Sequence, residues 1–202
     1  MITFSFFSAY PFIFGNTYNF SQGSTYLMFL GIIVGLLVVL ALTPLWGKLL
    51  GYEFAKASKA GLAHPLLEAM LWWAMCGALA VPIAMFWMGW SAMPDVSYWS
   101  PLVGSAFFWF SLLTIFISTY TYIIQTYGQY AASALVFLTF VRYIIGGSMV
   151  VVAIPMFENL GIHHAMTVLG AIACAFTPMP YIFYLYGPKI RAMSTSAPRS
   201  HL

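Results

Sequence analysis

Charge is what this sequence has least of. Only 5% of its 202 residues are Asp, Glu, Lys or Arg, against about a quarter in a soluble domain. A water-soluble fold could not cover its surface with so few polar groups, so the chain is expected in a lipid bilayer, its first partner. Cysteine is scarce too. Cys76 and Cys174 lie inside apolar runs, where a thiol behaves as a small hydrophobe. No Cys/His spacing describes a metal site, no nucleophile is paired with a base, and no glycine-rich loop cradles a phosphate. No enzymatic activity and no cofactor are therefore expected. The net charge of +3 is too small to argue for nucleic acid. The apolar opening 1–14 lacks a basic region and a small-residue cleavage site, so it is not read as a signal peptide.

Apolar sequence is present in excess, at 62% hydrophobic residues. A helix needs about 20 apolar residues to cross about 30 Å of hydrocarbon. Segments 26–46, 66–90, 101–124, 131–154 and 165–186 meet that length. Segment 1–14 is apolar but short, and is expected to be the outer part of a helix whose beginning is missing. The expected fold is an all-α integral membrane bundle of six helices, the first truncated, over residues 1–187, with a cytoplasmic tail at 188–202. Turn-forming residues mark the connections at 15–23, 91–100 and 155–164.

The few charges sort by side. Lys48, Lys56 and Lys59 fall in one connection and Lys189, Arg191 and Arg199 in the tail, while the connections at 15–23, 91–100 and 155–164 hold no Lys or Arg. Alternating spans put the basic connection and the tail together, and the positive-inside rule makes that side cytoplasmic. Trp46, Trp72, Trp73, Trp90, Trp99 and Tyr184 lie near span ends, where amphipathic rings sit at headgroup level.

One charge breaks the pattern. Arg142 lies near the middle of an apolar run. A guanidinium keeps its proton, so at bilayer depth it needs a partner, a backbone carbonyl or a water-filled cavity. No Asp or Glu occupies the middle of any span. Arg142 is thus either a structural arginine bonded to carbonyls, or a cavity-wall residue that attracts anionic or carbonyl-bearing groups. A carboxylate partner would have to come from another chain or from a missing part of this one. Ser111, Thr114, Ser118 and Tyr122 recur at three- and four-residue spacing and fit one helical face, although hydroxyls also bond carbonyls of their own helix. Glu68 at a helix start reads as a dipole-complementing cap. Asp95, Glu158, His163 and His164 read as outer-side surface residues.

Several blocks resemble the C-terminal half of fungal major facilitator superfamily transporters, in the branch of multidrug and polyamine proton antiporters. They are the run 82–90 (Pro-Ile-Ala-Met-Phe-Trp-Met-Gly-Trp), the run 127–134 (Tyr-Gly-Gln-Tyr-Ala-Ala-Ser-Ala), Arg142 with Gly146, and the runs 178–184 and 186–191. The resemblance extends from about Phe6 to Arg191. It implies the seventh to twelfth helices of a fold in which two six-helix bundles rock about a central site. It implies a small-molecule substrate and proton-coupled efflux of amphipathic organic compounds, most often across the plasma membrane. It also implies a missing N-terminal bundle or partner chain.

In such a bundle the first, second, fourth and fifth helices face the cavity. The wall candidates are then Arg142, Tyr10, Ser111, Thr114, Ser118 and Tyr122. This sequence departs from the family where it reads Leu67-Glu68-Ala69-Met70-Leu71, Gln125, Phe6-Phe7-Ser8 and Val150. Three of those changes remove a charge. The other reading is a truncated, non-transporting membrane protein with a partner or regulatory role.

Overall fold

The computed structural model describes residues 2–59 and 70–193; Glu68 therefore lies outside the described residues. Among the described residues seven α-helices follow in order: α1 (Ile2–Tyr10), α2 (Gln22–Leu27), α3 (Leu30–Lys59), α4 (Leu71–Ser91), α5 (Trp99–Tyr127), α6 (Ala131–Phe176) and α7 (Pro178–Met193). No strand occurs among the described residues. The chain is an all-α integral membrane protein. Its outward surface carries the reason: Leu30, Ile33, Val34, Leu37, Val38 and Leu40 of α3 are all exposed, a contiguous apolar face that lipid accepts and water does not.

Helices 22–52 and 71–91 are each long and apolar enough to cross a bilayer, and so is the continuous stretch 99–187. The last is far too long for one crossing at 1.5 Å per residue. Two glycines divide it. Gly128 takes φ 49° and Gly161 takes φ 75° with ψ 166°, conformations that a side chain with a Cβ rarely adopts. The chain reverses at each, which gives crossings over 99–127, 131–160 and 162–187. The turn expected across 155–164 is concentrated at Gly161, because helix continues through Pro155 to Leu160 and needs only one reversing residue.

Proline shapes two further helices. After α1 the chain continues from Pro11 to Thr17 as a π-helix, a local adjustment that rehouses backbone groups a proline leaves unpaired. Asn19, at φ 51°, then takes the left-handed conformation that its short polar side chain tolerates. The Phe20 amide returns to Phe14 O at 3.1 Å. Between α6 and α7, Pro178 cannot donate to Cys174 O. The Thr177 amide, shared between Ala173 O (3.0 Å) and Cys174 O (3.2 Å), takes up that acceptor. The helical path continues almost unbroken.

Small residues set the packing. Gly31, Gly35 and Val39 form the buried stripe of α3, and Gly31 and Gly35 meet Leu102, Ser105, Ala106 and Trp109 of α5. Gly77 of α4 meets Ser111, Thr114 and Ile115 of α5; Gly89 of α4 meets Met166 of α6. Without a hydrophobic drive between helices in lipid, such close approach supplies the dispersion contact that holds the bundle. An aromatic cluster fills the centre, with Phe6 stacked on Phe108 at 4.2 Å and Tyr10 on Phe29 at 4.4 Å.

The three connections without lysine or arginine meet at one end. The Tyr18 hydroxyl donates to Ser91 O (3.3 Å) and Val96 O (3.0 Å). His163 Nδ1 lies 2.7 Å from Gly89 O, and Phe12 stacks on Phe157. At Tyr18, which sits in the connection outside the spans, burial pushes the phenol upward, so it stays a donor through the neutral range.

Candidate functional site

Arg142 projects from the first crossing of α6 into a hollow of about 280 Å³. Its walls come from α1 (Thr3, Phe4), α3 (Leu36), α5 (Trp109, Leu112, Leu113, Phe116) and α6 (Arg142, Tyr143). The guanidinium carbon sits 4.5 Å from the Phe116 ring centroid and 5.2 Å from that of Tyr143. Two aromatic faces thus hold the cation without a counter-charge, an arrangement worth about 0.5–2 kcal/mol per ring depending on solvent access. Among the described residues Arg142 has no ion pair and no hydrogen bond. Its five N–H donors remain available to an acceptor. The indole Nε1 of Trp109, in the same wall, is buried and has no acceptor among the described residues either. The hollow therefore presents unpaired donors, and among the described residues its side-chain acceptors are limited to the hydroxyls of Thr3 and Tyr143.

The α1 segment reaches this wall because Gly146 on α6 has no side chain to keep Phe4 away. Phe4 also meets Tyr143 edge to face at 6.1 Å. The ring that flanks the guanidinium is in turn held by α1.

The remaining sequence candidates separate. Tyr10 is fully buried in the aromatic cluster, and its hydroxyl, nearest Ser105, has no hydrogen bond of ordinary geometry. Ser111 donates to Phe107 O and Thr114 to Ser111 O, both at 2.7 Å. Both lie against Gly77 in the α4–α5 contact, so they seal two helices rather than line a hollow. Ser118, one turn further along that face, is buried and its hydroxyl has no partner among the described residues. Tyr122 lines a different and larger cavity, of about 640 Å³, between α4, α5, α6 and α7. The two hollows lie against neighbouring faces of α5 and share only Leu112. The six candidates therefore do not form one wall.

Sequence reasoning missed Trp109, Phe116 and Tyr143. A signal existed: Trp109 and Phe116 are seven apart and share a helical face. It was lost among 18 Phe, 13 Tyr and 7 Trp. No group of three or more His, Cys, Asp or Glu among the described residues could hold a metal ion.

No family model matches the chain, and no solved structure matches it. Curated proteins do. The MFS-type transporter kojT of Aspergillus flavus is 48% identical over 98% of this chain, covering 35% of its own length. An uncharacterized transporter of Schizosaccharomyces pombe, C530.02, is 40% identical over 95% of the chain and 35% of its own length. The MFS-type efflux pump MFS2 of Trichophyton rubrum is 35% identical over 92% of the chain and 30% of its own length. The chain therefore belongs to the major facilitator superfamily, and it spans about a third of the length of the transporters it matches.

Proposed function

We propose that this chain is the C-terminal bundle of a secondary transporter that exports small amphipathic organic compounds, with the Arg142 hollow as part of the substrate path. The observation that carries the reading is an intramembrane guanidinium held by two rings and left without an acceptor. Such a charge is costly to keep idle. A carbonyl or carboxylate on the substrate, or a carboxylate from the other bundle, would pair with it. The Trp109 N–H is a second donor for the same acceptor. Support also comes from the helices involved: α1, α3, α5 and the first crossing of α6 are those the family resemblance turns toward a central cavity. Two matched relatives are named efflux pumps, of Trichophyton rubrum and Aspergillus terreus.

In this reading transport proceeds by rocking of two bundles about the site. The coupling proton rides on an acid supplied by the remainder of the transporter, since the spans offer none at mid-depth. The basic connection and the tail face the cytoplasm, and the membrane is the plasma membrane.

Export of a labelled amphipathic compound from cells expressing the protein is the test. Energy-dependent export that Arg142→Ala abolishes, with membrane insertion intact, fits the reading. Unchanged export removes Arg142 from the path. An immunoblot against residues 189–202 sizes the native protein. A band near 22.5 kDa without export would favour a non-transporting partner role, whereas a band of about three times that mass, the size implied by this chain's 35% share of its relatives, would place this bundle in a complete transporter.

A further inference from the structure

The larger cavity lies against the face of α5 next to the Arg142 hollow, with Leu112 between them, and its chemistry is different. No charged side chain of the described residues lines it. Its volume of about 640 Å³ is in the range of small-molecule sites, about 300–1,000 Å³. It runs along α5 from Phe108 to Thr126 and Tyr127, roughly 27 Å at 1.5 Å per residue. Its rim includes the exposed aromatics Phe137 and Phe176, so it is reached from the apolar exterior of the bundle.

Along α5 the lining grades from Phe108, Leu112 and Ile115 to Thr119, Tyr122, Thr126 and Tyr127; Thr177, at the α6–α7 junction, also lines the cavity, but its hydroxyl already donates to Ala78 O and Ala173 O. Thr119 and Thr126 stand on the same face of α5. Thr126 lies near the helix end, at interfacial depth, whereas Phe108 lies well inside the membrane. Thr126 is 7% exposed, and its Oγ1 is buried without a hydrogen-bond partner among the described residues. A buried hydroxyl without a partner costs about 1–3 kcal/mol. One at the polar end of a largely apolar cavity marks where a ligand's polar end would sit.

We infer that this cavity binds an uncharged, hydroxyl-headed membrane lipid of sterol type, with its hydroxyl at Thr126 and its apolar body directed toward Phe108. The described lining holds no cation, which disfavours a fatty acid, whose carboxylate would need one. That lack disfavours a phospholipid for the same reason, and two acyl chains exceed the volume. An elongated body with one neutral hydroxyl at interfacial depth fits both the gradient and the shape. This inference rests on the membrane-spanning fold and not on the transport reading.

The experiment is equilibrium binding of a tritiated 3-hydroxysterol to the purified full chain in sterol-free nanodiscs. Saturable binding, competed by unlabelled sterol, is expected. Thr126→Val should weaken it by about fivefold to tenfold, the worth of one hydrogen bond, while leaving thermal stability unchanged or raised. Ala134→Phe, which fills the cavity from a half-buried position, should abolish binding in a chain that still elutes as a monodisperse species. Arg142→Ala should bind sterol as the parent does, whatever its effect on export. Absence of saturable binding, an unchanged affinity in Thr126→Val, or equal competition by a fatty acid would each overturn the inference.

Discussion

Adding one methyl group at Gly35 measures how closely α3 approaches α5. An ideal Cβ there would press on the backbone oxygen of Ala106, with Trp109 Cβ at 3.1 Å and Ala106 C at 3.2 Å. Two of those atoms are backbone and cannot swing aside, so Gly35→Ala must push the helices apart. Overpacking of this kind costs about 1–3 kcal/mol. Against it stands the gain in helix propensity from Gly to Ala, about 0.5–1 kcal/mol. The net expectation is a loss of roughly 0.5–2 kcal/mol.

Gly47, in the same helix, is the internal control, since a Cβ there meets nothing within 4 Å. Gly47→Ala should keep only the propensity gain and stabilise by up to about 1 kcal/mol. Melting of the purified chain in detergent, followed by helical circular dichroism, should lower the Tm of Gly35→Ala and raise or preserve that of Gly47→Ala. Equal shifts in the two variants would refute the close α3–α5 contact as the organiser of this side of the bundle.

Other perturbations reach other parts of the structure. Gly161→Ala forces a side chain into φ 75°, ψ 166° and should cost about 1–3 kcal/mol, read as a lower Tm, whereas Gly147→Ala, with open space around it, should not. Tyr18→Phe removes the hydroxyl that joins two connections through Ser91 O and Val96 O. It should lose about 1 kcal/mol and speed amide exchange in 91–98 without altering the helices. Arg142→Lys keeps the charge but not the planar fork that stacks on Phe116 and Tyr143; export should fall by at least about tenfold, and full activity would show that charge alone suffices.

Membrane residence and helical class were legible because they depend on composition and local backbone chemistry. A 5% charged chain has one solvent it can live in, and long apolar runs in that solvent must be helical to satisfy their backbone. Arg142 stood out for the same reason, as a charge where the sequence otherwise permits none. The hydroxyl face of α5 was a different matter. Three- and four-residue spacing reads Ser111, Thr114, Ser118 and Tyr122 as one stripe. Contact divides it: Gly77 lets α4 settle onto Ser111 and Thr114, while Tyr122 lies with Thr119 and Thr126 in the wall of the larger cavity. Helix rotation about its own axis is fixed by which neighbour can approach, and that neighbour is distant in sequence. For that reason the sequence determined which residues are polar, and only the tertiary structure decided what each of them faces.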